Sequence, residues 1–127
     1  MKLEVEKNYV ALAADGTSRV VAGGEQFWSL PETEIEAFGR DLLISEFVSE
    51  GDWPSWEMHP KGDEFVYLVS GAADFLIELD NEVQRIPLEV GQAVLVPRGC
   101  WHTARVFETS RMLFITRGEG TQHRAVT

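Results

Sequence analysis

Three histidines occur in the chain, and His59 and His102 sit in glycine-bounded segments where chemistry can be built. The first segment, GDWPSWEMHPKGDEFVYLVSG, runs from Gly51 to Gly71. In an extended strand alternate side chains share a face, so Glu57 and His59 point the same way and Met58 points opposite. Pro60, Lys61, Gly62 and Asp63 supply a turn, after which the chain is expected to return with Glu64 at the start of the partner strand, across from His59. The second segment, GQAVLVPRGCWHTARV, brings His102 just past a rigid Pro-Arg-Gly corner. Imidazole nitrogens and carboxylate oxygens are the donors that divalent metals take, and the groups that move protons near neutral pH.

Other residue types with chemical potential take plainer readings. Cys100 shares a strand face with His102 by two-residue spacing, which allows a nucleophile, but a free cysteine is among the most buried residue types and is expected to pack. Trp53, Trp56 and Trp101 flank the two segments; they could line an aromatic pocket, and packing is the expectation. Arg98 reads as a solvated turn residue that could meet a carboxylate at a rim. His123 falls in the polar stretch GEGTQHRAVT and is expected to be exposed. Gly118 and Gly120 make no phosphate cradle, because no helix follows to present its N-terminus to an anion.

The elements that must position these residues are strands. From about residue 41 the runs DLLISEFVSE, DEFVYLVS, ADFLIEL, EVQRIPL, QAVLVP, WHTARVF and RMLFITR are rich in β-branched, aromatic and aliphatic residues. Gly51, Gly62, Gly71, Gly91 and Gly99 recur between them, a spacing too close for βαβ crossovers. Asp80 and Asn81 have the chemistry of a tight hairpin turn, since both tolerate positive φ. The stretch PETEIEAFG reads equally as a short helix, with Pro31 at its first position and Gly39 at its end, or as a loop. Several strands are apolar on both faces, Phe65, Tyr67 and Val69 alternating with Val66 and Leu68. One face belongs to a barrel interior, and the other needs an N-terminal strand, a second sheet or another subunit.

A length of 127 residues with 44% hydrophobic and 25% charged residues suits one compact domain with its own core. Twenty-one Asp and Glu against eleven Lys and Arg give a formal charge of -10, which repels a phosphate backbone or an anionic membrane, so no nucleic-acid or membrane partner is expected. The first residues, MKLEVEKNYVALAADG, interrupt their apolar positions with charge, unlike a secretory signal, and no run approaches the roughly 18 apolar residues of a membrane helix. Cys100 is the only cysteine, which agrees with a reducing compartment, and the expected location is the cytoplasm.

The two segments together resemble the paired motifs of the cupin superfamily. The first motif, G(x)5HxH(x)3-4E(x)6G, is matched at Gly51, His59, Glu64 and Gly71, with Glu57 in place of its first histidine. The second, G(x)5PxG(x)2H(x)3N, is matched at Gly91, Pro97, Gly99 and His102, with Val106 in place of its asparagine. The resemblance implies an all-β, double-stranded β-helix or jelly-roll barrel over residues 1–127, with the motif region at 51–106, N-terminal strands in 1–50 and a C-terminal strand and tail in 107–127. It also implies one divalent metal, Fe, Mn, Zn or Ni, on Glu57, His59, Glu64 and His102.

The departure at Glu57 leaves three arrangements open. As a ligand, Glu57 completes two histidines and two carboxylates that neutralise a dication. Off the metal, it leaves the two-histidine, one-carboxylate set of non-haem iron oxygenases. As a general base beside the metal, a partly buried Glu57 suits an isomerase or epimerase. A fourth arrangement has His59, Glu64 and His102 bonded to one another as a structural relic without metal. The expected function is a small cupin holding a divalent metal and a small organic ligand, acting as a metal-dependent oxygenase. The alternatives are a non-catalytic binding or sensing module and a metal-assisted sugar or keto-acid isomerase. Strands apolar on both faces point to a homodimer.

Overall fold

The computed structural model describes residues 1–127, and strands make up most of its regular structure. The first hairpin pairs β1 (Asn8–Leu12) with β2 (Ser18–Ala22). Two short helices follow, α1 (Glu25–Trp28) and α2 (Glu32–Phe38). The stretch readable either way is thus helical in α2, with Pro31 as its N-cap, Glu32 and Glu34 in the first turn, where negative charge suits the helix dipole, and Gly39 at its end. The remaining strands are β3 (Leu42–Ser49), β4 (Ser55–Met58), β5 (Glu64–Leu79), β6 (Glu82–Leu88), β7 (Ala93–Val96), β8 (His102–Thr116) and β9 (Gln122–Ala125). Every strand pairing is antiparallel, in the jelly-roll barrel that the strand pattern and motifs implied.

Two pairs of expected strands are in fact single long ones. The runs around Gly71 join into the sixteen residues of β5, and WHTARVF and RMLFITR join into the fifteen of β8. Gly71 bends the chain without ending it. Its φ is 100°, the β5–β8 register slips between Leu68 and Ala73, and a Cβ there would stand 2.3 Å from the Ser110 hydroxyl. That hydroxyl accepts from the Ala72 N–H at 3.1 Å and lies 2.8 Å from the Glu108 carbonyl oxygen, stapling the bulge. The Asp80–Asn81 turn is as expected, with φ of 53° and 65°.

The main core contains Val66, Leu68, Phe75, Ile77, Met112 and Phe114 among its twelve buried residues. A second cluster, Tyr9, Ala11, Phe27 and Leu43, ties β1, α1 and β3 together, with Ile35 and Phe38 of α2 packed against it. The N-terminal hairpin extends the sheet beside β3, in the order β2-β1-β3-β8, and so does not lie over the outer face of β5. Phe65, Tyr67 and Val69 remain half-buried there.

Candidate metal centre

Strand ends bring the four predicted residues together. Glu57 lies on β4 directly opposite His102, the first residue of β8. Glu64 opens β5 and is paired with Val96 of β7, while His59 follows the end of β4 at the Pro60 turn. The expected hairpin between the His59 and Glu64 strands does not form: β4 pairs with β8 and β9 instead, so His59 meets Glu64 across the barrel interior. Curvature of the barrel, not strand pairing, closes that gap.

His59, Glu64 and His102 are buried, and Glu57 is about half-buried. His102 Nε2 lies 3.1 Å from Glu64 Oε1, and His59 Nε2 lies 3.3 Å from Glu64 Oε2. Glu57 Oε2 is farther, 3.8 Å from His59 Nε2 and 4.0 Å from His102 Nε2. Glu57, His59 and His102 each offer a ligand atom within 4.8 Å of the others.

The outer ring nitrogens are already committed. Thr121 Oγ1 donates to the Gly118 carbonyl at 2.7 Å, so it accepts from the His59 Nδ1–H, also at 2.7 Å. His102 Nδ1 faces the Cys100 carbonyl at 3.1 Å, an acceptor only. Both neutral rings therefore turn an Nε2 lone pair inward, the tautomer a metal requires. Thr116 donates to Glu64 Oε2 and orients that carboxylate in turn.

At the centre, His59 Nε2, His102 Nε2 and Glu64 Oε1 have no hydrogen-bond partner in the protein, although the nitrogens approach Glu64 closely. Contacts at these distances without hydrogen-bond geometry are what donors aimed at a common point produce. A divalent cation satisfies all of them, and the donor set fits one. Without such a cation the carboxylate acts on the rings directly. Burial opposes the charge of Glu64, but His102 and His59 outweigh it and bring its pKa down to about 2. Burial likewise opposes protonation of His102, and Glu64 reverses this, so its pKa is raised.

A cavity of about 660 Å³ opens from Glu57, His59 and Glu64 toward the N-terminal cluster, where Tyr9, Phe27 and Trp28 line it. Trp53, Trp56 and Trp101 do not line it. Trp53 packs edge-on to Phe75 and near His102, and Trp56 and Trp101 flank the Arg124 guanidinium. Cys100 lies before β8 and packs partly buried against the core; what it contributes to the centre is its carbonyl. Val106 is buried in the core where the motif has asparagine. Arg98 stays exposed, its backbone N–H bonded to Asp63.

The polar C-terminal stretch, expected as a tail, forms β9 against β4; His123 is exposed as expected, and from its place opposite Glu57 it brings Nε2 to 3.4 Å from Glu57 Oε1. Thr121, Thr116 and Tyr9 carried no signal in the sequence, since isolated hydroxyl residues show a role only once folding fixes their neighbours.

Residues 45–117, more than half of the chain, match the family model of the cupin domain. The chain belongs to this family. No curated protein sequence matches it. Among solved cupin structures, a cupin-2 domain protein from Shewanella frigidimarina is 23% identical with a TM-score of 0.51, over 58% of this chain and 68% of that one. Oxalate decarboxylase of Bacillus subtilis is 19% identical with a TM-score of 0.57, over 67% of this chain and 24% of that longer one. Hydroquinone 1,2-dioxygenase from Sphingomonas sp. TTNP3, with 4-hydroxybenzoate bound, is 20% identical with a TM-score of 0.50, over 58% of this chain and 57% of that one. At these identities the likeness is one of fold. No helix of this cupin is long and apolar enough to cross a membrane.

Proposed function

We propose that residues 1–127 act as one cupin domain that binds a divalent metal through His59, His102, Glu64 and Glu57, takes a small organic ligand in the adjoining cavity, and works as a metal-dependent oxygenase. The observation that carries the metal reading is the pair of buried, partnerless Nε2 atoms whose rings are held in the ligating tautomer from behind. A metal held there supplies Lewis acidity and, if it is iron, one-electron chemistry. The chain's own residues do the rest. Thr121 and the Cys100 carbonyl fix the two rings, Thr116 fixes Glu64, and the aromatic cavity wall excludes water from the bound ligand. The oxygenase reading draws on the aromatic wall of the cavity and on the activity named for the Sphingomonas cupin, an analogy of fold.

The test begins with elemental analysis of protein purified without added metal, followed by anaerobic Fe(II) loading and oxygen uptake against a panel of small metabolites. About one metal per chain, lost in His59→Ala and His102→Ala, with substrate-dependent uptake is the expected result. Metal-free protein that still binds an organic ligand would replace this reading with a binding module.

A second role for Glu57 has its own support. Its carboxylate stands farther from the histidines than Glu64 does, is half-buried, and touches His123 near the cavity mouth. Glu57 is then the acid–base residue beside the metal, as an isomerase needs. Glu57→Gln separates the roles: a ligand lost weakens metal binding, whereas a base lost leaves metal content intact and stops turnover.

The proposed assembly is a homodimer. It is supported by the half-buried outer face of β5 together with exposed Leu95 and Phe107, and light scattering giving a monomer of 14.3 kDa would refute it.

A further inference from the structure

Far from the strand ends that carry the histidines, the same cavity reaches Tyr9 of β1. Tyr9 has no exposed surface, its ring packs tilted against Phe27 at 5.4 Å, and its hydroxyl has no hydrogen-bond partner in the protein. Leaving a buried hydroxyl unpaired costs roughly 1–3 kcal/mol, which a phenylalanine at the same place would avoid. The ring alone would satisfy the packing, so the hydroxyl calls for another partner, and the cavity that Tyr9 lines is where one can enter.

The rest of the lining narrows what that partner is. Phe27, Trp28, Phe47 and Phe114 add aromatic surface to Tyr9, and Ser45 adds a small buried hydroxyl. The carboxylates Glu25, Glu32, Glu36, Glu57 and Glu64 line the cavity, and no lysine or arginine does. A metal neutralises at most the inner pair, so an anionic ligand would enter against the remaining charge. Tyr9 on β1 and Glu64 on β5 both line the cavity, with β3 and β8 between their strands in the sheet, so a ligand in it lies between the two side chains.

We propose that Tyr9 is a specificity-determining residue: it donates a hydrogen bond to an oxygen at the far end of an uncharged aromatic ligand whose near end faces Glu57, His59 and Glu64. Substrates of this site are then neutral rings with oxygen substituents at opposite ends. This rests on the metal reading only for the near end; the far end is the protein's own.

The experiment compares hydroquinone with phenol, the same ring without the second oxygen, by anaerobic calorimetry on zinc-loaded and on metal-free protein. Wild type is expected to bind hydroquinone about tenfold more tightly than phenol, and Tyr9→Phe to lose that preference while keeping phenol affinity and zinc content. Retained phenol binding reports that the variant is folded, and 4-hydroxybenzoate, with an anionic end, is expected to bind wild type more weakly than hydroquinone. Equal preference in wild type and Tyr9→Phe overturns the role of Tyr9, and tighter binding of 4-hydroxybenzoate than of hydroquinone overturns the neutral ligand class. Protein that takes up no zinc sinks the metal reading instead, and the hydroquinone-to-phenol ratio of the metal-free chain still decides the Tyr9 proposal.

Discussion

The two hydrophobic clusters differ in size, in origin and in what they hold. The larger one is drawn from β5 to β8, inside the part of the chain that matches the cupin domain, and it fixes the strands from which Glu64 and His102 project. The smaller one, Tyr9, Ala11, Phe27 and Leu43, lies before residue 45, and it builds the opposite wall of the cavity. The metal is therefore served by the larger core, and the ligand by the smaller one together with Phe114 of the larger. A twelve-residue core resists local opening, whereas a four-residue cluster backed by two short helices has little burial to hold it shut. Metal affinity and ligand selectivity should accordingly respond to different substitutions.

The strongest way to break that comparison is to cut each core. Phe75→Ala removes a fully buried ring from the larger cluster and is expected to cost about 3–5 kcal/mol of global stability in urea denaturation, with metal binding lost alongside. Phe27→Ala removes a ring just as buried, yet its cost should fall mainly on residues before 45, seen as faster amide exchange there while metal content persists. Equal global destabilisation by both changes would show a single cooperative core.

Thr121 tests whether the metal end depends on the C-terminal strand. Thr121→Val keeps the shape and removes the acceptor that fixes the His59 tautomer, and loss of such an outer partner lowers metal affinity by about 10–100-fold. A competitive chelator titration measures it. Unchanged affinity would mean that burial alone orients His59.

Acidity offers a sharper contrast between the metal-free and metal-bound centre. Glu64 has a lowered pKa, so its contribution to stability is present above its ordinary 4.5 and is lost as pH falls toward about 2. His102 has a raised pKa, so its contribution is full below its ordinary 6.5 and is lost as pH rises through the raised value. Metal-free protein should thus be most stable between those ordinary values and lose melting temperature on the alkaline side. Metal binding needs neutral imidazole, so its stabilising increment should grow over the same alkaline range. Parallel thermal melts with and without zinc, at about pH 6 and about pH 8, check both signs. A metal-free protein that gains stability toward pH 8 would contradict the ionic contact between Glu64 and His102.

The legible parts of the molecule were those written in spacing. Gly51, His59, Glu64 and Gly71 fall at motif intervals, and Asp80 with Asn81 states a turn, because these depend on local backbone geometry. The burial of Glu64 and the meeting of His59 with His102 followed once the barrel was inferred. What stayed hidden depends on long-range closure. Gly71 read as a strand end because glycine marks bulges and turns alike, and only the Ser110 staple distinguishes them. His123 and Thr121 read as tail because the short run Gln122–Ala125 carries no apolar alternation until β4 pairs with it. The cavity wall was missed because Tyr9, Phe27 and Trp28 become neighbours only when the N-terminal hairpin joins β3.

The smallest expected effect concerns the latch on β9. Arg124 lies opposite Trp56 in the β4–β9 register, with its guanidinium 5.3 Å from the Trp56 ring centre and 4.7 Å from that of Trp101, and it pairs with Glu78. The site is exposed enough that its charge is partly screened, so the stacking is worth about 0.5–1 kcal/mol. Its influence on the metal is indirect, through Thr121 and His123 on either side of Gln122. Arg124→Ala should therefore leave the global unfolding midpoint almost unchanged, speed amide exchange in residues 122–125, and weaken metal binding only a few-fold, less than Thr121→Val does. Arg124→Lys keeps the charge but loses the planar stack, and should fall between wild type and alanine if the tryptophans hold the strand. If lysine matches wild type, the ion pair with Glu78 holds β9, and the two tryptophans serve only to cover the sheet.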